Sequence, residues 1–163
     1  MIRLRQTRLQ PYVRLGLVAL GFGIPFVALG VRETYTRIDG DDLVWQTLTG
    51  ALLLALLVYQ WRLLLNRALL PGRPHMTLFR VHRYTGVACV LVYILHAVSL
   101  GYSLTSWMSL AFLVSAVTGM MNRQVMNYTS KPVYYAWYTL HLASSVLLAP
   151  LIVVHIWMAL AYH

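Results

Sequence analysis

Apolar residues run along this chain in five blocks, separated by short stretches where arginine, aspartate, proline and glycine gather. The blocks are approximately Leu15–Val31, Leu43–Leu65, His82–Leu104, Thr105–Met121 and Tyr135–Tyr162. A helix that crosses a hydrocarbon core needs roughly 20 mostly apolar residues. All five blocks are expected to be such spans; the first and fourth are the shortest. The expected fold is therefore all-α: a bundle of five transmembrane helices forming a single membrane domain over residues 1–163. Five spans and their connections use up the chain, so no soluble nucleotide-binding or catalytic domain is expected.

Composition agrees with this pattern. The chain is 60% hydrophobic and 10% charged, whereas a soluble domain has about a quarter of its residues charged. The N-terminus imitates a secretory signal, with a basic start, an apolar run and a small-residue "ALG" at Ala28–Gly30. We read it as a retained helix.

Net charge is +9, and its placement matters more than its size. Arg3, Arg5, Arg8 and Arg14 precede the first span. Arg62, Arg67, Arg73, Arg80 and Arg83 lie between or at the ends of the second and third spans, and Arg123 and Lys131 lie between the fourth and fifth. With alternating spans these cations share one side. Arg32 and Arg37 fall on the other side, with all four acids, Glu33, Asp39, Asp41 and Asp42. The positive-inside rule then puts the N-terminus in the cytoplasm and the C-terminus outside a bacterial-type inner membrane. The basic excess is an orientation signal, and no nucleic-acid partner is expected. Tyr12, Tyr35, Trp45, Tyr59, Trp61, Tyr102, Trp107, Tyr134, Tyr135, Trp157 and Tyr162 lie near expected span ends, where amphipathic rings anchor at the headgroups.

The candidate chemistry lies in four histidines. "HRYTGVACVLVYILH" runs from His82 to His96 and "HLASSVLLAPLIVVH" from His141 to His155, at one shared spacing. Fourteen helical residues rise about 21 Å and fall about 40° short of four full turns. Each pair therefore shares one helix face, with its members near opposite membrane boundaries. The third and fifth spans run in the same direction, so His82 is level with His141, and His96 with His155. Ionisable groups within spans are costly and usually functional. Two neutral imidazoles suffice to hold a b-type heme without a covalent link.

The expectation is two heme b groups, an inner one on His82 and His141 and an outer one on His96 and His155. A proton relay or a bare metal site is the alternative, but zinc or copper wants three or four convergent ligands. The lone Cys89 forms no intrachain disulfide and reads as a packing residue; no C-x-x-C-H sequence provides covalent heme attachment. Gly86, Ala97, Ser144 and Ser145 adjoin the histidines and leave room for a macrocycle or for close helix approach. Arg80, Arg83, Arg123 and Lys131 lie at the inner level, as candidates for heme propionates or as plain topology determinants. Tyr93 lies between the two levels, either between the hemes or as a core aromatic. His75 and His163 have no counterpart at the same depth.

"HRYTGVACVLVYILHAVSL" resembles the heme-binding helix of the ferric reductase-like transmembrane superfamily, in its H-R-x-x-G opening, the second histidine fourteen residues on and the alanine after it. "HLASSVLLAPLIVVHIWMA" is similar to the partner helix, and "SAVTGMMNR" to the end of the helix between them. The resemblance covers Arg80 to Ala161. It implies two stacked b hemes, electron transfer through the bilayer, and ligand roles for His82, His96, His141 and His155. The sixth helix common in that family and the flavin- and nicotinamide-binding domain of its reductases and oxidases have no counterpart here. Its stand-alone heme-binding membrane subunits, such as that of the bacterial methionine sulfoxide reductase system, are the nearer comparison.

The expected function is a membrane diheme cytochrome b, an electron-transfer subunit rather than a self-contained enzyme, working within a multi-subunit complex. Its donor would be a flavoprotein on the basic loops or a membrane quinol, with Gln46, Tyr59, Gln60 and Arg62 as polar candidates beside a quinol. Its acceptor would be a redox protein on the outer face, a metal ion or oxygen. The acidic loop Arg37–Asp42 is a docking candidate or a solvated turn. Two other classes compete. A heme-binding structural anchor would keep complex activity after ligand substitution. A histidine-relay transporter would show flux in heme-free vesicles, although its paired discontinuous helices have no evident counterpart.

Overall fold

The structure is a computed structural model. It describes residues 10–30, 42–70, 76–97, 99–121 and 130–162. All regular structure among these residues is helical: α1 (Pro11–Ala28), α2 (Asp42–Leu69), α3 (Met76–His96), α4 (Leu104–Met120) and α5 (Lys131–Ala161). Of these, α1, α2, α3 and α5 are long and apolar enough to cross a membrane. The 17 residues of α4 make about 25 Å of helix at 1.5 Å per residue, less than a hydrocarbon core of about 30 Å. The chain thus reads as a multi-pass membrane protein.

Helix ends depart from the apolar blocks where backbone chemistry overrides hydropathy. The block His82–Leu104 corresponds to a helix that starts at Met76 and stops at His96. Met76–Val81 includes Arg80, which a hydropathy reading excludes but a helix accepts readily. Beyond His96 the chain turns through Gly101 at φ 75° and Ser103 at φ 52°, positive-φ conformations that a right-handed helix does not contain, so the apolar residues up to Leu104 do not continue α3. In the same way α2 runs on to Leu69, with Asn66 Nδ2 donating to the Arg62 carbonyl at 2.8 Å. The N-terminal end of α5 lies at Lys131, where Pro132 fits the first helical turn.

Two compact units make up the chain: Arg14–Ser99, and Leu100–His163 with the N-terminal stretch ending at Val13. In the first, α2 and α3 form an antiparallel hairpin. Trp45 Nε1 donates to the Leu95 carbonyl at 3.1 Å, Gln60 Nε2 to the His82 carbonyl at 3.0 Å, and the Arg67 guanidinium lies over the Phe79 ring. Residue numbers rise on one helix as they fall on the other. A Cβ at Gly23 would overlap the Ile94 side chain, so α1 lies close against α3 at this point. Val87, Cys89, Val90, Val92 and Tyr93 are the buried residues of α3.

In the second unit, α4 and α5 are likewise antiparallel. Ser115 and Ser145 hydroxyls meet at 2.7 Å, and Trp137 Nε1 donates to the Thr118 carbonyl at 2.7 Å. Hydroxyl and small residues at such contacts let backbones approach where lipid offers no hydrophobic drive. The ends of α5 carry aromatic groups: Tyr134, Tyr135, Trp137 and Tyr138 at one, Trp157 against Tyr162 at the other. The exposed Tyr135 and Trp157 are separated by about 33 Å of helix, close to the hydrocarbon thickness. Tyr12, expected among the anchors, is buried instead.

Candidate functional site

The four histidines lie on two helices, one in each unit. His82 is in the second turn of α3 and His96 is its last residue. His141 and His155 lie on α5, on the face that carries Ser144 and Leu148, the buried residues of that helix. Tyr93, on the histidine face of α3, is buried.

His96 is held by a notch on α2. Thr49 Oγ1 lies 3.2 Å from His96 Nδ1. The same hydroxyl donates its one proton back along α2, to the Trp45 carbonyl at 2.7 Å. With that proton committed, the contact to the ring requires Nδ1–H as donor and the threonine oxygen as acceptor. The next residue, Gly50, has no side chain, and a Cβ there would lie 3.0 Å from His96 Cε1. The ring rests where that side chain would have been.

His141 is held by a notch of the same composition on α4. Thr118 Oγ1 lies 3.1 Å from His141 Nδ1 and donates to the Val114 carbonyl at 2.6 Å. A Cβ at Gly119 would lie 3.2 Å from His141 Cε1. Here the tautomer is fixed a second time. His141 Nδ1 is 3.0 Å from the Ser115 carbonyl, which can only accept. Nδ1 therefore carries the proton and Nε2 the lone pair. The Trp137 indole stacks parallel to the His141 ring, with centroids 6.2 Å apart.

The residue types in these notches have specific roles. A helical threonine that bonds to the carbonyl four residues back keeps its oxygen lone pairs turned outward. A following glycine opens a ring-sized gap next to them. Both notches are "TG" dipeptides, and the chain has a third at Thr85–Gly86. There Thr85 Oγ1 donates to the Val81 carbonyl at 2.9 Å, and the gap takes the Gln60 amide, 3.2 Å from a Cβ placed on Gly86. Gly86 thus gives α2 its close approach to His82, and the amide of Gln60 takes the space. Thr49, Gly50, Ser115, Thr118, Gly119 and Trp137 are site residues that sequence reasoning passes over. The recurring Thr–Gly pair was the available signal.

The remaining candidates are distributed as follows. Arg80 is exposed. The Arg83 guanidinium lies over the Phe79 ring at 4.3 Å, and that of Arg67 over the same ring at 5.6 Å. Arg62 lies over Tyr59 at 5.7 Å. Ser144 and Ser145 hydroxyls bond to carbonyls of their own helix, and Ser145 also to Ser115, so their small size serves helix approach. Arg123, His75, His163 and residues 37–41 of the acidic loop lie outside the described residues. Among the described residues, no group of three or more His, Cys, Asp or Glu side chains gathers to hold one metal ion.

Comparison with family models, curated proteins and solved structures gives no match for this chain.

Proposed function

We propose that the chain is a membrane diheme cytochrome b that passes electrons across the bilayer between a separate donor and a separate acceptor. The observation that carries this reading is the hydrogen bonding of His96 and His141 through Nδ1. Each turns Nδ1 to oxygens of the neighbouring helix, Thr49 in one case and Thr118 with the Ser115 carbonyl in the other, contacts that an Nδ1–H satisfies. This leaves Nε2 as the ligating nitrogen, the arrangement usual for a histidine bound to metal. A porphyrin brings four nitrogens of its own, so two histidines complete its iron. Pairs at one spacing on two membrane helices suit that need.

In this reading His82 and His141 hold an inner heme b, and His96 and His155 an outer one. Heme b, when bound, supplies reversible one-electron exchange at its iron. The protein's own residues bind, orient and bury it. Arg80, Arg83 and Arg123 serve the propionates on the cytoplasmic side. The donor is a flavoprotein on the basic loops or a membrane quinol, the acceptor is a redox partner on the outer face, and the chain works as one subunit of a larger complex in a bacterial-type inner membrane, N-terminus inside.

Purified protein tests this directly. The reduced-minus-oxidised spectrum and acid–acetone extraction should show two noncovalent b hemes per chain. Pure, folded protein that takes up no heme would remove the proposal.

A further inference from the structure

Two separate histidines meeting the same Thr–Gly notch is more than packing requires. We propose that Thr49 and Thr118 are positioning residues for metal ligands: each accepts the Nδ1 proton of its histidine, while the adjoining glycine fixes the ring, so that His96 and His141 present Nε2 to heme iron. The inference rests on the diheme reading and deepens it. In the proposed pairing the two notches serve different hemes, one ligand of each.

The chemistry follows from the hydroxyl's two roles. Its proton goes to a helix carbonyl, at 2.7 Å from Thr49 and 2.6 Å from Thr118, so the oxygen meets the imidazole only as an acceptor. An Nδ1–H donor bond raises the basicity of the opposite nitrogen and stops the ring from rotating. Glycine contributes as well, because a Cβ at Gly50 or Gly119 would stand 3.0 or 3.2 Å from Cε1, tighter than ordinary contact, and the ring would have to give way by a few tenths of an ångström. The two notches differ in redundancy. His141 retains the Ser115 carbonyl at 3.0 Å when the Thr118 hydroxyl is removed.

The test uses the full chain with 15N-labelled histidine, in detergent, and the isosteric variants Thr49→Val and Thr118→Val. Two-bond 1H–15N correlations on heme-depleted protein should place the His96 and His141 protons on Nδ1. Hemin titration should then show Thr49→Val weakening one of two sites by about 10- to 100-fold. Thr118→Val should weaken the other site by less, and Thr49→Ser, which keeps the hydroxyl, should restore binding. The electron paramagnetic resonance signal of the affected low-spin heme should shift in Thr49→Val while the other heme's signal stays in place, which loss of packing alone would not produce. Protons on Nε2 in the wild type would overturn the proposal. So would valine variants that bind hemin and resonate like a two-heme wild type, with the diheme reading left standing. A wild type that takes up no hemin overturns the diheme reading itself, and the role of both threonines with it.

Discussion

The α2–α3 and α4–α5 hairpins hold a histidine in the same way at opposite ends. On α2 the Thr–Gly notch lies in the third turn and meets the last residue of α3, far from the connection between the helices. On α4 it lies in the last turn, at the end nearer the connection, and meets the eleventh residue of α5. A notch imposed by hairpin geometry would recur at one place in both hairpins. Its recurrence at different places points to the residues themselves, a threonine, a glycine and an imidazole across from them.

The tryptophans make the same point by exchanging helices. Trp45 stands four residues before Thr49, on the notch helix, and its indole N–H donates to the carbonyl of Leu95, the neighbour of His96. Trp137 stands four residues before His141, on the histidine helix, and donates to the carbonyl of Thr118 in the notch. In each hairpin an indole fastens the two helices within one turn of the imidazole. His141 has the stacked Trp137 ring and the Ser115 carbonyl in addition.

The two notches are most sensitive at their glycines. Gly50→Val should displace His96 and cut hemin affinity at one site by about 10- to 100-fold. Gly119→Val should do the same at the other site, by less, since its Cβ starts at 3.2 Å rather than 3.0 Å. Gly21→Ala is the control: a Cβ there has nothing within 4 Å, and titration should match the wild type. Next in size is Gly23→Leu, which drives a side chain into Ile94. It should destabilise the protein by about 1–3 kcal/mol, read as a lower thermal midpoint in detergent. Trp137→Phe keeps a ring beside His141 but loses the bond to the Thr118 carbonyl, a cost of about 0.5–1.5 kcal/mol in the same assay. Smallest of all, Ser115→Ala removes one hydroxyl of the Ser115–Ser145 pair, worth about 0.6 kcal/mol by the average for membrane hydrogen bonds.

Much of the fold can be read from the chain, because burial in lipid demands long apolar runs and these are visible by eye. The ends of α3 cannot. Arg80 looks like a boundary, yet long straight side chains extend a helix at little cost. Leu100 and Tyr102 look like span, yet the backbone at Gly101 and Ser103 has already turned. The site divides along similar lines. Histidine spacing is a sequence quantity, set by helical rise and twist alone. The notches are not, since Thr49 meets a residue 47 positions away and only the phase of α2 against α3 decides which one. A threonine and a glycine in an apolar run look like any small residues that let helices approach.

The proposed heme ligation pairs His82 with His141 and His96 with His155. Single alanine substitutions at all four positions, each read by heme content and by which of two b-heme signals survives, test it most directly. His82→Ala and His141→Ala should lose one and the same heme, and His96→Ala and His155→Ala the other. Losses that group His82 with His155, or four variants that all keep both hemes, would contradict it.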